Sequence, residues 1–218
     1  MNTQTHILLG AVLFGRGIPQ RAWLGALGGL LPDMPLIVTV IVLKIAGMPS
    51  QRIFGEVYFS EWCQALNGFS HGFILWVGLV AIFALLWRRQ RLRVRSGQGD
   101  KVLQSNSELW PGLTAMASSG LLHALIDFLC YREDAHRHFW PVSNWIFVSP
   151  VSYYDPRHFW VQFALFEALL GVLLAGFLFW RFRNLWVRLL LGLSIFTYVA
   201  IPLIFLFLAR GHGLTEVP

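Results

Sequence analysis

Four apolar runs, at about residues 69–87, 111–130, 159–180 and 186–209, each approach the roughly twenty residues that an α-helix needs to cross a bilayer core. Inside hydrocarbon every backbone N–H and C=O must be satisfied within the protein, so runs of this length read as helices. The segment from Met34 to Met48 is a fifth apolar helix, somewhat short. Before it lie two shorter apolar stretches, 3–14 and 22–31, joined by the turn sequence GRGIPQR and too short to cross separately. They are expected to form a short helical hairpin, partly inserted or tilted against the bundle. Composition agrees, because 13% charged residues against 56% hydrophobic leaves too little charge to cover a water-facing surface, which in soluble chains takes about 25%. The 18 Phe and 10 Trp also exclude a chain that stays unfolded. The expected fold is all-α, a polytopic membrane helical bundle with about five long apolar helices plus the N-terminal hairpin. It reads as a single integral membrane domain over residues 1–218, with the hairpin at 1–33, the first helices at 34–130, an outer loop at 131–157 and a C-terminal helix pair at 158–218.

The formal charge of +6 would point to nucleic acid in a soluble protein, but in a membrane protein basic residues set orientation. Arg88, Arg89, Arg91, Arg93, Arg95 and Lys101 follow one span, and Arg181, Arg183 and Arg188 mark the link between the last two, so both regions are expected to be cytoplasmic. Loops 49–68 and 131–157 then face the other side, where Arg52, Arg132, Arg137 and Arg157 are offset by Glu56, Glu61, Glu133, Asp134 and Asp155. No nucleic-acid partner is expected. Cys63 and Cys130 have no CxxC pairing or zinc-ribbon spacing, so neither a disulfide framework nor a thiolate site is signalled. The start MNTQTHILLG has no basic region before its short apolar stretch, so no cleavable signal peptide is expected.

The informative residues are the few ionisable ones inside apolar segments, because an Asp at the centre of a membrane helix costs about 2.5–3.5 kcal/mol on insertion scales. His6 sits in the first short stretch and Asp33 follows Pro32 at the end of the second. His71 opens a span, and His123 and Asp127 stand four apart near the end of the next, on one face of a helix. With the hairpin turn directed inward, Arg16 and Arg21 lie toward the cytoplasm and His6 and Asp33 rise to the level of the others. His136 and His138 are two apart and share a face if that loop is extended. His158 and His212 fall outside this set. Histidine and aspartate without thiolates make a site for Zn, Mn or Fe, with Zn favoured, and these candidates suffice for one or two divalent ions. Gly25, Gly28 and Gly29 form a small-residue face that allows close helix approach.

At Thr5-His6, Leu30-Leu31-Pro32-Asp33, Ser70-His71 and the His123/Asp127 pair, the sequence resembles the YdjM-type inner-membrane metal-dependent hydrolase family. The order His, Asp, His, HxxxD is also similar to that of zinc-dependent phospholipase C and its nuclease relatives. The segment DAHRHFWP looks like the signature of a narrower bacterial subgroup. The resemblance covers roughly residues 3–158 and implies His6, Asp33, His71, His123 and Asp127 as metal ligands; His136 and His138 are added from their spacing.

A divalent ion bound by neutral His and carboxylates activates water and holds substrate oxygens, so hydrolysis of a phosphoester, lipid-linked at this depth, is the expected reaction. Asp127, His138 and Asp134 are the catalytic candidates, the last two as proton shuttle or supporting partner. Arg132 and Arg137 are expected to hold phosphate, with pairing to neighbouring acids as the alternative. The aromatic segment from Phe139 and Trp140 through Trp145 to Tyr153, Tyr154 and Trp160 reads as an interfacial belt, or as a lid or acyl-chain groove. Glu167, inside a span, reads as an inter-helix partner before a functional group. Two other classes use the same residues: a metal-ion or proton transporter, and a non-catalytic assembly protein with a polar core. The localisation expected is the bacterial inner membrane, with the site on the non-cytoplasmic side.

Overall fold

Backbone breaks at glycine and proline decide where the first helices of this chain begin and end. The computed structural model describes residues 1–15, 17–96, 107–132, 134–152 and 157–211, with side chains to residue 204. Arg16, Lys101, Glu133, Tyr153, Tyr154, Asp155 and His212 lie outside the described residues. Among those described, every regular element is helical, and the chain forms two compact units, Met1–Pro150 and Val151–Pro218.

In the first unit α1 (Thr3–Phe14) stops before Gly17, whose φ of 87° leaves the helical region, and α2 (Pro19–Leu30) starts with proline in its first turn, where no amide is needed. This is the expected hairpin. Pro32 removes the next ladder amide and Pro35 opens α3 (Met34–Ile45), so α2 and α3 meet at a bend of 64° with Asp33 at the corner. After α4 (Ser50–Arg52), a π-helical turn (Ile53–Val57) and α5 (Glu61–Ser70), the chain breaks at His71-Gly72 and enters α6 (Phe73–Arg95). Then come α7 (Leu109–Cys130) and an irregular segment up to Pro150. The stretches Glu61–Arg95 and Leu109–Cys130 are long and apolar enough to cross a membrane, as are Trp160–Arg181 and Leu185–Ile204 in the second unit, and the bent α2–α3 pair makes a fifth candidate.

The apolar segment after Met34 is the short fifth helix expected, bent away from α2 where Pro32 and Pro35 interrupt the ladder. Two local readings of the sequence need correction. The arginines from Arg88 to Arg95 are not a loop but the last turns of α6, where good helix formers continue the helix past the apolar part and their charge favours a helix C-terminus. Residues 49–68 are likewise mostly helical.

Packing of α1, α2 and α7 depends on absent side chains. A Cβ on Gly10 would stand 2.1 Å from the Gly25 carbonyl oxygen, one on Gly29 would stand 2.3 Å from that of His6, and one on Gly28 would stand 2.0 Å from that of Met116. Lipid is as apolar as leucine, so van der Waals contact of this closeness, rather than expulsion of water, holds the helices together. On the other side of α7, Gly120 takes the Trp76 ring of α6, whose Nε1 donates to the Ser70 carbonyl at 2.7 Å. In the second unit α8 (Trp160–Arg181) and α9 (Leu185–Gly211) pair, with Tyr198 over Gly171 and Glu167 buried.

A Gly28→Val substitution drives a side chain into backbone that cannot move aside, and should destabilise the detergent-solubilised protein by about 1–3 kcal/mol or more in denaturant unfolding. Gly78→Ala, at a position with open space around it, should change stability by no more than about 0.5 kcal/mol.

Candidate metal centre

Three places in the fold deliver four ligand atoms to a common point. His123 and Asp127 share a face of α7, with Nε2 and Oδ2 3.1 Å apart. Asp33 comes from the α2–α3 bend, its Oδ1 3.3 Å from His71 Nε2 and 3.5 Å from His123 Nε2. His71 comes from the α5–α6 break, with Nε2 3.7 Å from Asp127 Oδ2. These four atoms lie within 4.8 Å of one another. Zinc binds such atoms at about 2.0–2.2 Å, which makes the edge of a tetrahedral ligand set roughly 3.3–3.5 Å. The four cross-distances bracket that edge.

The orientation of each group also fits a cation. His123 Nδ1 is 2.7 Å from the Gly29 carbonyl oxygen and His71 Nδ1 is 3.2 Å from that of Asn67. A carbonyl only accepts, so His123 Nδ1 carries the proton and its Nε2 presents a lone pair, while His71 Nδ1 is held between the Asn67 carbonyl and the Ser70 hydroxyl with its Nε2 turned to the centre. Asp33 has Oδ2 bonded by Thr3 Oγ1 and turns Oδ1 to the centre. Asp127 has Oδ1 2.9 Å from His6 Nε2 and 3.0 Å from the Met1 amine, and turns Oδ2 to the centre. His71 Nε2, His123 Nε2 and Asp127 Oδ2 are buried without a hydrogen-bond partner. Each such orphan costs about 1–3 kcal/mol if nothing fills the space. Among the described residues no Lys or Arg side chain pairs with Asp33 or Asp127, and the Met1 ammonium reaches only Oδ1 of Asp127, on the side away from the centre. A divalent ion satisfies all of these atoms at once. The Asp33 side chain, 13% exposed where the other three are sealed, leaves the point of access.

The remaining sequence candidates occupy a second tier. His6 stacks on His123 with ring centroids 3.6 Å apart and holds the far oxygen of Asp127; it lies outside the group of four. His136 and His138 are both buried, but a hydrogen bond from His138 N to the His136 carbonyl makes their segment a tight turn, so the condition of an extended loop, under which they would share a face, is not met. The His136 ring lies 4.3 Å from that of His71 and 4.9 Å from that of Tyr131, with Nδ1 unpartnered. Burial, reinforced by His71 and His138, holds its pKa well below the usual value. His138 is lowered to about 4, again chiefly by burial, so both rings are neutral at physiological pH. The His138 carbonyl accepts from Phe73 N, the first amide of α6, which ties this turn to the helix that follows His71. Asp134 lends its backbone oxygen to the Tyr58 hydroxyl at 3.4 Å. Arg137 is gripped by both carboxylate oxygens of Glu61, and Arg132 donates to the Ser149 carbonyl at 2.9 Å. Both arginines therefore pin the segment after α7 in place. Thr3 and Asn67 escaped the sequence reading, and Gly29 and Glu61 entered it only as a packing residue and an offsetting charge, since nothing in a Thr, a glycine carbonyl or a surface Glu marks a supporting role before the fold is known.

The family model described as YdjM inner membrane protein matches residues 1–208. The chain belongs to that family. It is an integral inner-membrane protein of helical spans, and the match runs through every residue of the buried His/Asp group. No curated relative and no solved structure matches the chain.

Replacing His71 or Asp127 by alanine should abolish metal binding in the purified protein while leaving membrane insertion intact, as read by elemental analysis. His6→Gln should weaken affinity by about 10–100-fold, the usual effect of losing a partner behind a ligand. Full occupancy in the Asp127→Ala protein would remove the site.

Proposed function

We propose that the protein is a membrane-embedded metal-dependent hydrolase acting on a phosphoester, with Zn the favoured ion. The observation that carries this reading is the convergence of Asp33 Oδ1, His71 Nε2, His123 Nε2 and Asp127 Oδ2, all on one side of their own residues' supporting hydrogen bonds. A divalent ion there supplies Lewis acidity, which lowers the pKa of water toward about 7 and polarises a phosphoryl oxygen. Every other part of the chemistry falls to the chain. Asp33, the accessible ligand, lies on the side from which a head group enters. His138 is fixed by donating Nδ1–H to the His136 carbonyl at 3.0 Å, and that leaves Nε2, buried and unpartnered, as a neutral acceptor. It takes a proton from the attacking water and returns it to the leaving oxygen. Arg137 and Arg132 hold the turn that carries His138, with Glu61 and Ser149 as their anchors.

The membrane geometry supports a lipid-linked substrate. α6 spans 23 residues, about 35 Å at 1.5 Å per residue, so His71 at its start and the arginines at its end lie at opposite boundaries. With the arginine end cytoplasmic by the positive-inside rule, the metal group opens to the non-cytoplasmic face. A substrate there presents a phosphate at the interface and keeps its chain in the bilayer.

Purified protein loaded with Zn or Mn and given phosphatidic acid and isoprenoid phosphates should release phosphate in a chelator-sensitive reaction, and His138→Gln should lower kcat by about 10²–10⁴-fold without loss of metal. Stoichiometric metal with no turnover of any phosphoester would reject hydrolysis and favour ion transport or a structural metal.

A further inference from the structure

The segment that carries His138 continues into a stretch unlike an ordinary extramembrane loop. From Phe139 to Val148 it reads FWPVSNWIFV, without one charged residue, and it forms no helix. Its apolar side chains are not folded away either: Val142, Trp145, Ile146 and Val148 are all exposed. Water-facing loops are rarely built so, and exposed contiguous apolar surface marks a binding or membrane-contact face.

This surface is joined to the metal group by a ladder of rings. The His138 ring lies 5.1 Å from Phe73 and 5.2 Å from Phe128. Phe128 lies 4.7 Å from Phe147 and 6.3 Å from Trp145, and Phe139 lies 5.5 Å from Phe73 and 5.7 Å from Trp145. Beside the ladder, on α7 itself, Leu125 and Leu129 are exposed, so the apolar surface runs on to the lipid-facing side of a span. One end of the ladder is therefore a neutral histidine beside the metal ligands and the other is hydrocarbon. The backbone beneath is held: Ser149 Oγ donates to the Leu129 carbonyl, Ser149 N donates to the Tyr131 carbonyl and Arg132 caps the Ser149 carbonyl. A surface held in shape from both sides costs little entropy when a chain lies on it.

We propose that the aromatic surface of Phe128, Phe139, Trp145 and Phe147 is the seat for the hydrocarbon chain of a membrane lipid whose phosphate head group lies at the metal centre. This rests on the hydrolase reading for the head group, and it adds the specificity element: the chain is recognised by the ring surface, entered sideways from the bilayer along α7. Short-chain phosphates then lack the contact that orients them, and long-chain ones gain it.

The test is equilibrium binding of dodecylphosphonate and methylphosphonate to the Zn-loaded, detergent-solubilised protein, and to a Trp145→Ser/Ile146→Ser variant whose altered side chains are both surface-exposed. Expected is metal-dependent binding at least tenfold tighter for the dodecyl compound, an advantage lost in the variant while methylphosphonate affinity and metal content stay unchanged. Equal affinity for the two compounds, or a chain advantage that survives in the variant, overturns the seat and leaves the metal-phosphate reading standing. Binding of neither compound to the metal-loaded protein overturns both. Dodecylphosphonate binding that persists without metal shows a detergent-like association and also overturns the proposal.

Discussion

A carboxylate buried inside a membrane-spanning helix has no water to turn to, and Asp127 is fully buried on α7. Its two oxygens divide the surrounding structure between them. Oδ1 faces His6, which obliges α1 to lie against α7 at that level. Oδ2 faces His71 and His123, which brings the α5–α6 break to the same level. The helices that meet there come from separated parts of the chain, and none of them could shift by one turn without exposing a charge or an imidazole to lipid. The polar group thus sets the register of an otherwise apolar bundle.

The glycine face on α2 is part of the same arrangement. Without side chains at Gly25, Gly28 and Gly29 the α2 backbone reaches α1 and α7 closely enough that the Gly29 carbonyl becomes the acceptor for His123 Nδ1. Backbone closeness therefore fixes the tautomer of a candidate metal ligand. Packing and chemistry are the same contact here, so a side chain at Gly28 or Gly29 would disturb the centre before it unfolded the helices.

Much of this was legible in the chain alone, for a physical reason. Spans and the hairpin follow from apolar run length and from Gly and Pro, and those are local. The four ligand residues stood out because an ionisable group in an apolar segment is expensive enough to need a purpose. What escaped the sequence was set by contacts between distant segments. His6 was read with the ligands, since its placement near Asp127 is visible as level but not as the side of the carboxylate that it faces. Arg137 had the same appearance whether it awaited a phosphate or Glu61, and only the fold brings that Glu, 76 residues earlier, to its guanidinium. The arginines of α6 were taken for a loop because hydropathy ends where hydrocarbon ends, whereas a helix ends where its hydrogen-bond ladder does.

Depth is the structural feature that bears on catalysis against conduction. In the first unit Asp33 sits at a bend, His71 at a helix break, and His136 and His138 outside any helix, while His123 lies seven residues, about 10 Å, before the end of α7. A conduction path needs polar groups repeated through the thickness of the bilayer. Beyond His123 toward the other boundary, α6 and α7 meet through the apolar Trp76, Ala117, Leu79, Val80 and Phe83, and among the described residues of these two helices the buried polar side chains in that direction are Ser119 and Gln90, neither of them ionisable. A cation that entered past Asp33 would meet the four candidate ligands and then a mostly apolar helix contact. An ion held by Asp33, His71, His123 and Asp127 would sit toward the end of α7 that leads into the His136–His138 turn, which is the arrangement that the proposed chemistry on a membrane-borne head group requires.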